Sequence, residues 1–360
     1  MTIYVDHTHL GRHVTGLERI TLELFSRAAL SPLDVVPVTA RGVRQMVLRQ
    51  TFELPLRLMS RSSVLLCPGF PPSPLLAPFA SRVLPYIHDL FLLSRPADLS
   101  RRARLYMAPP FRFALRTYPR FLANSNDTRT KLATHCRPDA AVTLYRPPVR
   151  NVFALNAGAR SGRRASGLRL VALGTVEPRK NFPAAARIVS ALREQGVANA
   201  TLDIVGRQGW GNDWQALKDY PGVTLHGYQD EERVRQLIEA ADIFICTSHE
   251  EGLGLPLLEA QYAGLPIVAP DAAIFHEVLD ASGVFIDPAD PAAAAARIAS
   301  LFSDHAWRSR YVSQDEQNLR RWNALASTDR DIVIDLIDKL ASDQSQQSVT
   351  HGVEHQRYFP

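Results

Sequence analysis

Cysteine is scarce in this chain: Cys67, Cys136 and Cys246 are the three in 360 residues. They lie far apart with no C-x-x-C, so neither a disulfide framework nor a thiolate zinc site is indicated. Long apolar runs are missing as well, and no stretch is both long enough and free of proline and charge to span a bilayer. The opening Met1-Thr-Ile-Tyr-Val-Asp6 reads as a first strand without the charged-then-apolar layout of a secretory leader, so a cytoplasmic location is expected. Several common nucleotide and metal signatures fall short. Gly11 and Gly16 have the spacing of a phosphate loop, but Leu17-Glu18 stands where Lys-Ser/Thr is required. Gly206-Arg-Gln-Gly209-Trp-Gly211 has its glycines in the wrong order for a dinucleotide fingerprint, with no ribose-binding acid at the right distance. Asp329-Arg-Asp331 has the D-x-D spacing of a metal-binding acid pair, yet it sits in a helical pattern and is expected to be a solvated helix face. Asp6-His7-Thr8-His9 and His249-Glu250 lack the spacing of a defined site. No metal and no cofactor is expected.

What is present describes a globular protein. Hydrophobic residues make up 46% and charged residues 21%, and the length accommodates two domains, each with its own core. The net charge of +5 comes mostly from arginine, and the arginines cluster. Arg101, Arg102, Arg104, Arg112, Arg116 and Arg120 interleave with Tyr106, Phe111, Phe113 and Tyr118. Two readings of that segment stay open: a basic surface resting on an anionic membrane, or an amphipathic helix pair broken at Pro109-Pro110 with its aromatics inward and its arginines solvated. No nucleic-acid partner is expected.

From Leu168 onward, short apolar runs alternate with helical patterns. Strands are predicted at 170–176, 201–206, 223–226, 243–247, 266–269 and 284–286, with helices at 183–194, 231–240, 256–263 and 291–301. This is the rhythm of a doubly wound parallel sheet. The N-terminal half repeats it less regularly, with strands near 3–5, 35–38, 64–67, 83–87, 121–123 and 141–144. The small, polar and basic run 156–167 has the composition of a linker. The predicted organisation is therefore an α/β domain over 1–155, the linker, a second α/β domain over 168–304, helices over 305–341 and a disordered tail over 342–360.

Two segments of the second domain carry chemistry. In Glu251-Gly-Leu-Gly-Leu-Pro-Leu-Leu-Glu259, a turn follows a buried strand and leads into a helix, with Pro256 in its first turn and Gly264 and Pro266 at its end. Gly252 and Gly254 let backbone approach a ligand closely, and the free amides at the helix start favour an anion. The other segment is Gly174-Thr-Val-Glu-Pro-Arg179-Lys180-Asn181, where Asn181 is a candidate N-cap and Arg179 and Lys180 stand beside a helix start. Fixed cations there suit a departing diphosphate.

Together these strings resemble the E-x7-E and G-T-x-E-P-R-K-N motifs of retaining GT-B glycosyltransferases of family four, also called group 1. The resemblance covers nearly the whole chain, tightly from Leu168 to Pro288. It implies a GT-B fold, in which two Rossmann-like domains face each other across a cleft and a terminal helix returns to the first. It implies a retaining, metal-independent transfer of a sugar from a GDP- or UDP-linked donor, GDP-mannose among them, to a glycan or polyprenyl-diphosphate-linked acceptor. The pathway would be polysaccharide assembly, such as lipopolysaccharide, at the inner face of the cytoplasmic membrane. In the implied roles Arg179 and Lys180 stabilise the leaving diphosphate, Glu251 binds sugar hydroxyls near the anomeric carbon, and Glu259 binds the ribose. Gly252, Leu253, Gly254, Leu255 and Pro256 form the donor loop. Ile87-His88-Asp89 resembles the family's His-Asp pair, which puts His88 near the donor sugar. Thr15-Gly16-Leu17-Glu18-Arg19 resembles its T-G-I-x-R turn, which makes Gly16 a donor contact, and Arg207 lies where the family meets the base or ribose. A sugar-nucleotide epimerase, a sugar phosphate synthase and a non-catalytic nucleotide-sugar-binding subunit remain the alternatives.

Overall fold

A computed structural model describes residues 2–11, 16–96, 99, 103–160, 167–301 and 307–355. In chain order the first half comprises β1 (Thr2–His7), α1 (Gly16–Phe25), β2 (Val35–Thr39), α2 (Val43–Leu48), α3 (Leu54–Arg57), β3 (Ser63–Cys67), β4 (Val83–Ile87), α4 (Phe91–Ser94), α5 (Ala108–Thr117), β5 (Arg120–Ala123), α6 (Asn126–Ala133) and β6 (Ala141–Leu144). The second half comprises β7 (Arg169–Leu173), α7 (Phe182–Glu194), β8 (Thr201–Val205), α8 (Asp213–Leu217), β9 (Val223–Gly227), α9 (Glu231–Ala240), β10 (Ile243–Ile245), α10 (Leu255–Ala260), β11 (Ile267–Pro270), α11 (Ala273–Leu279), β12 (Gly283–Ile286), α12 (Pro291–Leu301) and α13 (Trp307–His355).

The strands form two six-stranded sheets, ordered β2-β1-β3-β4-β5-β6 and β12-β11-β10-β7-β8-β9, with parallel pairing throughout. The central strands β3 and β4 are buried along their whole length, whereas the edge strand β6 is not. That difference is why the first two read in sequence as continuous apolar runs. The second sheet has the order of the mononucleotide-binding fold, in which the winding reverses between β7 and β10. Loops leaving the carboxyl ends of those two strands diverge there and leave a crevice for a ligand.

The chain divides into two compact units, Met1–Pro148 with Leu325–Pro360, and Val149–Ala324. The first limit falls seven residues before the 155/156 limit drawn from sequence, and α13 contributes to both units. Of the expected linker, residues 161–166 lie outside the described residues. The core of the second unit joins Leu170, Leu202 and Ile243 to the alanine-rich face of α7 and to Ile298 of α12. In the first unit, Phe121, Leu65 and Tyr118 anchor an equivalent core.

α13 runs on to His355. Two expectations need correction. Asp329 is not solvated: its carboxylate is buried and holds the Arg146 guanidinium at 2.8 Å and the Arg146 amide at 3.2 Å, a pairing of residues 183 apart in sequence. Asp331 on the same helix is exposed, so the D-x-D spacing joins one structural and one solvated acid. Finally, Asn181 is the N-cap residue of α7 but makes no side-chain cap bond. It is left-handed (φ 50°), a conformation asparagine tolerates, and this turns the chain from the 3₁₀ turn Pro178–Lys180 into α7.

Candidate functional site

The two motif loops of the second unit meet at the switch point. The loop after β7 carries Glu177, Arg179 and Lys180, and the loop after β10 carries Ser248 and Glu251. Backbone bonds register one on the other: the His249 amide donates to the Arg179 carbonyl at 2.9 Å, and the Thr247 hydroxyl donates to the Asn181 carbonyl at 2.9 Å. The side chains then form one ionic cluster. Lys180 Nζ donates to Glu251 Oε1 at 2.5 Å, Ser248 Oγ donates to the same oxygen at 2.7 Å, and Arg179 donates to Glu251 Oε2 at 3.0 Å. Arg179 also grips Glu177, at 2.8 Å through its terminal nitrogen, and the Glu250 carbonyl at 3.2 Å.

Glu251 is 7% exposed, and burial alone would raise its pKa. The adjacent charges of Lys180 and Arg179, with hydrogen bonds from Lys180 and Ser248, overcome that effect and hold it down to about 2. It is therefore an acceptor-only carboxylate at neutral pH. The cations differ in what they have left to give. Arg179 spends donors on both glutamates and a carbonyl, whereas the Lys180 ammonium has three donors and one carboxylate neighbour among the described residues. The Lys180 side chain crosses directly beneath Gly174, where an added Cβ would lie 3.1 Å from its Cε.

Glycine geometry shapes the rest of the crevice. Gly254 precedes α10 at φ 80°, a left-handed position that leads the chain from Leu253 into the helix. Leu253, Leu255 and Glu259 are buried, and Gly252 and Pro256 are partly so. Gly206 lies at φ 157° with the Gly174 carbonyl so close that a Cβ would be 1.9 Å from its oxygen. Val176 bonds to Arg207 and Gly209 across this contact, so the glycines after β8 serve close packing of two loops. Arg207 itself is exposed and rests 4.7 Å over the ring of Tyr228.

In the first unit, His88 follows β4. Its Nε2 meets the Pro68 carbonyl at 2.7 Å, so this nitrogen must carry the proton and Nδ1 is left as an acceptor while the ring is neutral. Burial keeps it neutral by lowering its pKa to about 4. Gly16 opens α1 with nothing within 4 Å of an added Cβ, so packing among the described residues does not demand glycine there. Thr15 lies outside the described residues. Asp6 is engaged by Thr8 and Gln50, and among the described residues no group of three or more His, Cys, Asp or Glu could hold a metal ion.

Glu251, Arg179 and Lys180, each a candidate from sequence, are brought together as one ion-paired group. Glu177, inside the string that carries Arg179 and Lys180, and Ser248, three residues before Glu251, join them and are not among the sequence candidates. The available signal was that both sit on the same strand-end loops as the chosen residues.

Residues 167–304 match the model of the family described as Glycosyl transferases group 1. The chain is 33% identical over 141 residues to the O-antigen chain mannosyltransferase B of Escherichia coli, covering 38% of this chain and 37% of that protein. Over 161 residues it is 31% identical to the serotype-specific mannosyltransferase WbdA of Escherichia coli, covering 42% of this chain and 20% of that one. It thus spans well under half the length of these curated relatives. Among solved structures, sucrose-phosphate synthase from Thermosynechococcus elongatus superposes with a TM-score of 0.70 at 15% identity, covering 94% of this chain and 99% of that one. WaaG, a glycosyltransferase involved in lipopolysaccharide biosynthesis, gives 0.65 at 16% identity, again over 94% and 99%. At that identity these two likenesses establish the GT-B fold.

Proposed function

We propose that the chain, whose residues 167–304 match the model of the group 1 glycosyltransferases, moves a sugar from a nucleoside-diphosphate donor to a hydroxyl of a glycan or lipid-linked acceptor, with retention and without a metal. The observation that carries this reading is the cluster of Lys180 and Arg179 about a buried, ionised Glu251 at the sheet's switch point. Charge develops on the leaving diphosphate as the glycosidic bond breaks, and a cation already fixed in place stabilises it without reorganisation. Lys180 is the residue for that task, because its ammonium has donors beyond the one aimed at Glu251. Arg179, locked between Glu177 and Glu251, acts as the brace that keeps both carboxylates oriented. Glu251 sets the position of the ammonium, and its lone pairs accept from sugar hydroxyls near the reacting carbon. The amides around Gly254 and Leu255 contact phosphate or sugar, and Glu259 the ribose. His88, neutral and with Nδ1 as acceptor, receives a hydrogen bond from a sugar hydroxyl.

The mannosyltransferases among the relatives make GDP-mannose the first donor to test. Thermal-shift titration of the full chain with GDP-mannose, UDP-glucose and UDP-N-acetylglucosamine should raise the midpoint selectively for the true donor, through binding to the folded state alone. Transfer to membrane-extracted glycolipid acceptors should then consume that donor. Donor conversion at the same rate without acceptor would instead favour an epimerase, and equal shifts for every nucleotide would remove the support for a specific donor.

A further inference from the structure

The segment from α2 to α3 presents an apolar stripe to solvent. A π-helical turn, Arg49–Glu53, joins the two helices without a break, so Val43–Arg57 is one continuous helical rod. Its inner face is fixed at four successive positions spaced by four. Met46, Leu54 and Leu58 are buried, and between them the Gln50 amide donates to Asp6 at 3.0 Å and to Thr8 at 2.9 Å at the end of β1. The buried Arg82 guanidinium satisfies the carbonyls at the rod's end, bonding Leu58 at 2.7 Å and Ser60 at 2.6 Å. The rod therefore cannot roll to hide its other face. That face carries Leu48, Phe52, Leu56 and Met59, which are 59%, 57%, 63% and 67% exposed.

Single exposed apolar side chains are ordinary, but four at helical spacing, on a rod anchored from behind, mark an interaction surface. Its charge says with what. Residues 41–61 hold five arginines and one glutamate, and that glutamate, Glu53, is engaged by Arg49 at 3.1 Å and Arg57 at 2.7 Å. Arg41, Arg44 and Arg61 are exposed along the stripe. Apolar side chains flanked by arginine, with no opposing acidic surface, are what an anionic lipid interface accepts: the side chains enter the acyl boundary while guanidinium groups meet the headgroups. The arginine-rich segment around α5 has a sparser version of this arrangement. Phe111, Leu115 and Tyr118 point into the core, and beside Arg112 and Arg116 the exposed large apolar residues are Leu105 and Phe113, at 66% and 39%, against four on the rod.

We propose that the outer face of the α2–α3 rod is a membrane-docking surface that lays the first unit on an anionic bilayer. Docking needs no donor and stands apart from the transfer chemistry, so it is tested with no nucleotide present. The full chain is floated with vesicles of phosphatidylcholine alone and of phosphatidylcholine with phosphatidylglycerol, and compared with the doubly substituted F52D/L56D chain and with R112E/R116E. Both pairs are surface positions, and thermal midpoints confirm folding. The native chain should bind the anionic vesicles, bind the neutral ones at least tenfold less, and be released by high salt. F52D/L56D should lose at least tenfold in binding, and R112E/R116E should bind as the native chain does. Failure to bind anionic vesicles, or binding that survives F52D/L56D but falls in R112E/R116E, would overturn the proposal. So would a concentration-dependent dimer, seen by sedimentation, that F52D/L56D dissolves, since the stripe would then be covered by a second copy.

Discussion

Replacing Glu251 by glutamine keeps the shape of the cluster and removes its central charge. Holding this carboxyl near 2 instead of 4.5 corresponds to roughly 3 kcal/mol of preference for the ionised form within the folded chain. Glutamine forfeits that preference and takes the opposing charge away from Lys180 and Arg179, although Arg179 keeps its pair with Glu177. Breaking a buried pair from one side typically costs about 3–5 kcal/mol, which agrees in scale. The sign follows from the lowered pKa: the contribution is fully present above pH 4.5 and is lost as the pH falls toward 2. Urea unfolding of native and Glu251→Gln chains should therefore differ by about 3 kcal/mol at pH 7, and the difference should shrink steadily between pH 4.5 and 2. In parallel, donor turnover by the folded variant should fall by a factor of about a hundred or more, the scale for loss of one group in a preorganised charged site. A stability difference that is the same at pH 7 and pH 2.5 would refute the electrostatic account. Near-native turnover by the folded variant would refute the assigned role.

Gly206→Ala should destabilise by more than about 2 kcal/mol, because the new Cβ meets the Gly174 carbonyl in a backbone region that L residues avoid; a thermal midpoint within a degree of native would contradict this. Asp329→Ala should cost about 3–5 kcal/mol by stranding the buried Arg146 charge, while Asp331→Ala on the exposed face should stay within about 0.5 kcal/mol, as denaturant midpoints would reveal. His88, held near 4 by burial, binds its proton more readily in the unfolded chain, so its contribution is intact above pH 6.5 and lost as pH falls toward 4. His88→Asn should flatten the stability profile in that window, and an unchanged slope would remove His88 as its source.

Parallel strands were legible because each is short, apolar and followed by a helix. β4 and β6 match their predicted limits, and the predicted end of β7 falls three residues late because Gly174 and Thr175 leave the sheet before the apolar run ends. The burial of Asp329 is not legible in local spacing, because its partner Arg146 lies 183 residues away and which acid of a D-x-D is buried depends on which helix face packs inward. The outward stripe of the α2–α3 rod was hidden for a related reason. Residues 46, 50, 54 and 58 and residues 48, 52 and 56 are both spaced by four, so the pattern offers two faces, and the bonds from Gln50 to Asp6 and Thr8 choose between them.

The candidate site shows the same division more sharply. Residue types were readable: two basic residues after one strand, two glutamates after another, and glycines where backbone must approach backbone. Their mutual distance was not, because it depends on sheet order. β7 and β10 are separated in sequence by two further strands, and only the 3-2-1-4-5-6 winding makes them neighbours, pairing Ile243 with Leu170 and Phe244 with Val171. Once they pair, each strand's exit loop has one place to go, and Lys180 and Arg179 arrive on opposite oxygens of Glu251. That contact bears on the role proposed for the motif. A glutamate held by two cations and a serine hydroxyl is ionised at neutral pH, so in the proposed transfer it would serve as the fixed anion that positions the Lys180 ammonium and as an acceptor for sugar hydroxyls, and not as a proton-donating acid.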